Sequence, residues 1–309
     1  MRLTNRLGLS SAWVSAARGN YVKRGDFSVT ELIAPAQQGI LKARYSDDIE
    51  EDVEDCVWRL FGNGVHLVLE QSSMGDAFAE LKLSINVAGK EVTGTLDSLD
   101  PTGEEKHYNM NDFKVTSAWS AKYGLKPEHE AQANLYRYMG EHQYDIIIDD
   151  MRIELLLRDW KKSDALRDRQ YPQHSMIIQP VPKWSDEKCE KWLMDRVRER
   201  TDALQKADEN LPHCSSSDRW EKDSGWAVVS TNEKSKGRAV SGGGKCKTKE
   251  DAKAFLAKRI ATRTSKKTKP IVDARVIFRT GVSPRCEDYC PVKGMCHQYR
   301  EVIKPGLPF

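Results

Sequence analysis

Residues 94–138, GTLDSLDPTGEEKHYNMNDFKVTSAWSAKYGLKPEHEAQANLYRY, alternate as strands around a Pro101-Thr-Gly103 turn and then become helical. Asp97 follows Gly94 by three residues, Asp112-Phe113-Lys114 comes next, and Gln132 and Tyr136 stand four apart. On a strand, alternation puts Asp112 and Lys114 on one face and Phe113 on the other. A hard divalent cation such as magnesium takes a few carboxylate or carbonyl oxygens and keeps several waters, so Asp97 and Asp112 are candidate ligands. Lys114 beside them would orient or deprotonate a water whose pKa the ion lowers, while charge building on a phosphate is stabilised.

Working outward, Gly62-x3-His66-x3-Glu70 has helical spacing, which makes His66 a third candidate ligand. Gln132 and Tyr136 lie one turn apart on a helix that opens at Pro127, with Glu128 and Glu130 in its first turn. Ser28-Val29-Thr30-Glu31 predicts a capping box and a helix through about residue 43. A second helix is expected over 49–72, strands over 79–87, 92–99, 107–115, 146–157 and 175–181, and a long helix over 185–209. Asp159 reads as a turn or cap residue rather than a fourth active-site acid.

In chain order, His66, Asp97, Asp112-Phe113-Lys114 and Gln132-Ala-Asn-Leu-Tyr136 resemble the motifs of the PD-(D/E)XK nucleases, in their RecB-like exonuclease branch. The resemblance implies a mixed α/β fold, a central sheet flanked by helices in the restriction-endonuclease-like arrangement. It also implies magnesium or manganese on His66, Asp97, Asp112 and the Phe113 carbonyl. Lys114 would assist the water, and Gln132 and Tyr136 would serve the active site or the DNA. Two features depart from the pattern: Asp112 stands where many relatives carry Glu, and Leu96 precedes Asp97 where the family name has proline.

The chain has 309 residues, 39% of them hydrophobic and 31% charged, enough for one large or two smaller domains with a sizeable core. Nothing approaches the ~18 unbroken apolar residues of a membrane span, and Ser10, Ser11 and Ser15 interrupt the first apolar run, so neither a membrane partner nor a signal peptide is expected. Net charge is +3, but residues 234–269 hold thirteen Lys and Arg against two acids. That basic insert is the expected DNA-binding patch, with Lys245, Lys247, Lys249, Lys266 and Lys267 as contacts to phosphate. Seven acids in 47–55 suit the start of a solvated helix.

Of seven cysteines, Cys286-x3-Cys290-x5-Cys296 brings three within eleven residues. In a protein expected to be cytoplasmic, this favours metal over disulfides. Structural zinc and iron–sulfur clusters are commonly held by four protein ligands. Cys214 is taken as the fourth because it starts the segment Cys286 closes; Cys56 is the alternative, and His213 and His297 compete if the ion is zinc. Cys189 and Cys246 read as ordinary thiols. Some RecB-like nucleases, including the CRISPR-associated type, carry a 4Fe-4S cluster on one distant cysteine and three near the C-terminus, and this tail resembles that arrangement. In those relatives the distant cysteine precedes the catalytic motifs, where Cys56 stands here. Either centre is expected to staple the C-terminal segment to the core.

The expected organisation is an N-terminal arm (1–27), a nuclease core (28–210) and a cysteine-cluster subdomain (211–309). The expected activity is a metal-dependent deoxyribonuclease, an exonuclease of recombination, repair or replication in a bacterial or phage-infected cytoplasm, with recombination or replication proteins as further partners. The alternative is a catalytically idle nuclease fold that binds DNA or a recombination partner, with a structural metal centre.

Overall fold

A computed structural model describes residues 2–19, 22–72, 78–240, 243, 245–261 and 274–304. In chain order its elements are β1 (Arg2–Thr4), α1 (Ser11–Arg18), β2 (Phe27–Ser28), α2 (Val29–Ile33), α3 (Ala36–Arg44), β3 (Glu50–Asp52), α4 (Val57–Ser72), β4 (Phe78–Val87), β5 (Lys90–Pro101), β6 (His107–Thr116), α5 (Ala118–Ala121), α6 (Pro127–Tyr144), β7 (Ile147–Leu157), α7 (Lys162–Arg167), β8 (Met176–Pro180), α8 (Asp186–Leu204), β9 (Gly225–Ser230), α9 (Lys249–Ala261) and β10 (Ala274–Arg279). The chain divides into two compact units, Met1–Pro212 and His213–Phe309.

The first unit is built on a mixed six-stranded sheet in the order β2-β5-β6-β7-β8, with β4 also on β5. Pairs β2/β5 and β6/β7 are parallel; β4/β5, β5/β6 and β7/β8 are antiparallel. The parallel β6/β7 pair needs a crossover, and α6 supplies it. Proline at its first position and Glu128 and Glu130 in its first turn start α6. The helix is buried from Ala133 to Gly140 because the sheet covers one side and α2 and α8 the others. Its two buried polar residues are held by partners: Asn134 donates to the Glu130 and Pro182 carbonyls, and Arg137 pairs with Asp186 and Glu141, leaving only the Arg137 Nε without one. Val92, Leu96, Leu99, Met110, Ile148 and Ile153 from the strands meet Leu135 and Met139 from α6 in the main core.

Two expected helices are corrected. The Ser28 capping box forms, its side chain accepting from Glu31 N while Glu31 returns to Ser28 N. Pro35 then breaks the helix into α2 and α3, since it has no N–H to give and disfavours helical backbone at Ala34. The carbonyls left open at the break are taken by α8: Arg196 donates to Leu32 and Ala34, and the buried Arg200 to Glu31, Ala34 and Ala36. The helix expected over 49–72 starts later: the first part of the acidic run is extended, and a 3-10 turn over Val53–Cys56, capped by Asp52 accepting from Glu54 N and carrying Glu54 and Asp55 in its first turn, leads into α4. Glu50–Asp52 forms β3, parallel to β1, and Asp52 is held by Thr4 Oγ1 at 2.7 Å and Arg6 N at 3.0 Å. Arg2 pairs with Glu50, Arg6 approaches Glu50 and Asp52, and Arg59 pairs with Glu51, so these three acids are met by basic side chains; β1 and α1 are what residues 2–18 form.

In the second unit, β9 and β10 pair antiparallel and α9 packs on both. Lys245, Lys247 and Lys249 are exposed there, whereas Lys266 and Lys267 lie outside the described residues. Among the described residues no helix is long and apolar enough to cross a membrane.

Candidate active site

Strands β5 and β6 pair only from Ser98↔Asn111 to Pro101↔Tyr108. One further step of the same register sets Asp97 opposite Asp112, and there the two strands part. Like charges facing each other across a ladder repel, and the backbone group freed at the fork finds a side chain: Phe113 N donates to Asp97 Oδ2 at 2.8 Å. Asp112, 2% exposed, turns to Lys114, whose Nζ lies 2.5 Å from Oδ2. The alternation read from the sequence holds for this pair.

From the other side, α4 brings His66 Nδ1 to 3.7 Å from Asp97 Oδ2. The His66 ring also stands edge-on to Phe113, centroids 6.2 Å apart. Glu80, which the sequence pattern did not single out, completes a trio: His66, Glu80 and Asp97 each offer an atom within 4.8 Å of the others. Glu80 sits opposite Asp97 on the β4/β5 ladder, at the single step where pairing is skipped, and has φ of 51°. Among the described residues this is the one such trio, so His66 and Asp97 are brought together with Glu80, while Asp112 faces Lys114 beside them.

Gln132 Nε2 donates to the Tyr136 hydroxyl at 3.0 Å, and the Tyr136 ring packs over Gly94. His129 is the second residue missed. At positions 129, 132 and 136 the spacing of three and four puts it on the helix face that carries Gln132 and Tyr136, a signal present in the sequence. It faces Lys114, Lys126 and Asp112, and its buried Nδ1 has no hydrogen-bond partner. Asp159 is a loop tie, accepting from Ala118 N at 2.7 Å.

Burial pushes the Asp97 and Asp112 carboxyls up, each worsened by a nearby acid and countered by Lys114. Burial works against the Lys114 ammonium too, but Asp112 and Asp97 outweigh it and hold its pKa above the usual value. Lys114 is therefore a fixed cation here, suited to holding charge rather than taking a proton. Burial and the two lysines push His129 down to about 4, so it is neutral at pH 7. Two carboxylates, a carboxylate-flanked histidine and no hydrogen bond of good geometry on either Asp112 oxygen make a donor set that fits a hard divalent cation.

In the second unit Cys214, Cys286, Cys290 and Cys296 gather. Burial first, then the other three sulfurs and Asp218, push Cys214 up to about 12. Burial with Cys290 and Cys296 pushes Cys286 up to about 11, and burial raises Cys296. Gln298 straps the turn, its Oε1 accepting from Cys214 N at 2.8 Å and its Nε2 donating to Cys214 O at 2.9 Å. Cys56 lies in the first unit, in an apolar cluster with Ala17 and Val53, its thiol donating to Asp52 O. His213 is exposed and His297 approaches Glu301 at 3.6 Å. All four clustered cysteines belong to the second unit.

No family model and no curated protein matches the chain. Among solved structures, one titled "Crystal structure of SSO0001" is similar at 14% identity and a TM-score of 0.43, over 60% of this chain and 83% of that one.

Proposed function

We propose that the chain is a magnesium- or manganese-dependent deoxyribonuclease of the PD-(D/E)XK type, acting as an exonuclease on DNA in recombination, repair or replication in a bacterial or phage-infected cytoplasm. The observation that carries this reading is the fork of β5 and β6, where Asp97 and Asp112 meet beside Lys114. His66, Glu80, Asp97 and Asp112, with the Phe113 carbonyl at the same turn of strand, are the groups that would hold the cation. When bound, the cation supplies Lewis acidity and a water of lowered pKa.

The remaining work falls to the protein. Lys114 keeps its charge and lies where it can pair with a phosphate oxygen as negative charge grows there. Gln132 and Tyr136 present a hydrogen-bonded pair one turn along α6, and Tyr136 is fixed in place by Gly94. In the second unit the exposed Lys245, Lys247 and Lys249 supply phosphate contacts without sequence preference.

The cysteine quartet fits a thiolate-bound centre: sulfurs that push one another's pKa up cannot all ionise unless a cation compensates them. Four thiolates can hold either a 4Fe-4S cluster or zinc, and the reading we take is the cluster, with zinc as the alternative. Protein purified without oxygen and given magnesium or manganese should shorten end-labelled linear DNA and leave closed circles intact. Nicked circles would make it an endonuclease, and no cleavage of either would favour the idle DNA-binding fold.

A further inference from the structure

Residues 117–126, SAWSAKYGLK, connect the catalytic strand β6 to α6. Ser117 caps the short helix α5, and the segment has two faces. Ala118 and Ala121 are buried and Leu125 packs on the core, whereas Trp119 is 65% and Tyr123 71% exposed. Trp119, Lys122 and Tyr123 are exposed and Lys126 is half-buried, so aromatic and basic side chains alternate along the chain as a stripe. The Trp119 and Tyr123 rings meet edge to face at 5.7 Å, and Lys122 Nζ stands 5.5 Å from the indole centroid.

The stripe adjoins the site. Trp119 is five positions on from Lys114, so their Cα atoms are within ~18 Å. Thr116, Ser120, Lys126 and His129 line one small pocket, and His129 faces Lys114 and Asp112. Across the strand ends, Arg158 N donates to Thr116 O at 3.0 Å, and the Arg158 guanidinium lies 4.2 Å over the exposed Trp58 ring. The same rim thus carries two exposed aromatic platforms, each with a cation beside it.

A duplex shows its phosphates outward and hides the faces of its bases, so it would satisfy the lysines and leave the rings uncovered. A single strand satisfies both, because every unpaired base has a π face and every link a charge. We infer that Trp119 and Tyr123, with Lys122 and Lys126, form a base-stacking track that holds the substrate as single-stranded DNA leading to Lys114. This rests on the nuclease reading of the site and names its substrate class.

The test measures binding of the full chain to a fluorescein-labelled oligothymidylate and to a blunt duplex of equal length, with Lys114→Ala as the common background and calcium in place of magnesium. In that background Trp119→Ala and Tyr123→Ala should each weaken single-strand binding ~5- to ~150-fold, with Trp119→Phe keeping most of the affinity. Duplex binding should change less than about twofold. Equal losses on both DNAs, or single-strand affinity unchanged in both variants, would overturn the track. Melting curves that match the background exclude misfolding as the cause. Because the background cannot cut, a wild-type protein without nuclease activity would sink the functional reading while the binding comparison still judged the track.

Discussion

The ring of Tyr136 lies so close to Gly94 that a Cβ on residue 94 would stand 2.6 Å from Tyr136 Cε1. Gly94 is thus a glycine for want of space, three residues before Asp97 on the strand that reaches the fork. Gly94→Ala should push the ring and α6 away, destabilising the fold by ~1–3 kcal/mol. Chemical denaturation would show it, and Gly94→Ala combined with Tyr136→Leu should lose less than the sum of the two single changes. Additive losses would mean the ring and the strand are not in contact.

Glu80 should matter to the metal although no motif names it. Glu80→Gln should weaken manganese binding about tenfold or more and slow cleavage, whereas Lys114→Ala should cut the rate at least ~100-fold with manganese binding retained. Calorimetric titration with manganese separates the two. Wild-type manganese affinity in Glu80→Gln would remove it from the site.

His129 carries a pH dependence of known sign. Its folded pKa of about 4 lies below the ordinary 6.5, because of burial and the charges of Lys114 and Lys126, with Asp112 opposing. The unfolded chain then binds the proton more readily, so the stability contributed by the neutral ring is complete above pH 6.5 and is lost as pH falls toward 4. At ~1.36 kcal/mol per unit this amounts to about 3 kcal/mol. Melting temperature of the metal-free protein should therefore fall more steeply across that window in wild type than in His129→Gln. Parallel curves would show that His129 titrates normally.

For the second unit, protein made without oxygen should be brown, with a broad visible absorbance that Ser substitution at Cys214, Cys286, Cys290 or Cys296 removes. Cys56→Ser, Cys189→Ser and Cys246→Ser should keep it. Thiols pushed up to about 11 and 12 must release protons to bind, so the centre should be lost progressively as pH falls. A colourless protein containing one zinc would replace the cluster; loss of metal in Cys56→Ser alone would contradict the grouping seen in the fold.

Replacing Lys245, Lys247 and Lys249 by Gln should reduce the salt dependence of DNA binding by about two to three in the log–log slope, at ~0.7–0.9 per phosphate contact, and lower affinity alike for unrelated sequences. An unchanged slope would mean that these side chains do not meet phosphate.

Much of the first unit was legible in the chain alone, because its signals are local. Alternating apolar residues marked β4 to β8, Pro127 with two acids started α6, and the D-x-K spacing put Asp112 and Lys114 on one face. These patterns need only the strand period, the helix period and the start signals of a helix. The errors fell where a distant segment overrules a local preference. Residues 50–52 look like the first turn of a helix until β1 pairs with them as a strand; the break after Ala34, by contrast, is a local effect of Pro35, and Arg196 and Arg200, some 160 residues later, take the carbonyls it leaves open. Only the tertiary structure could set Glu80 opposite Asp97 and His66 against both, since those three are carried by three different elements. Likewise the choice of Cys214 over Cys56 depended on which thiol the chain brings back to Cys286, a closure over seventy residues that spacing alone leaves undetermined.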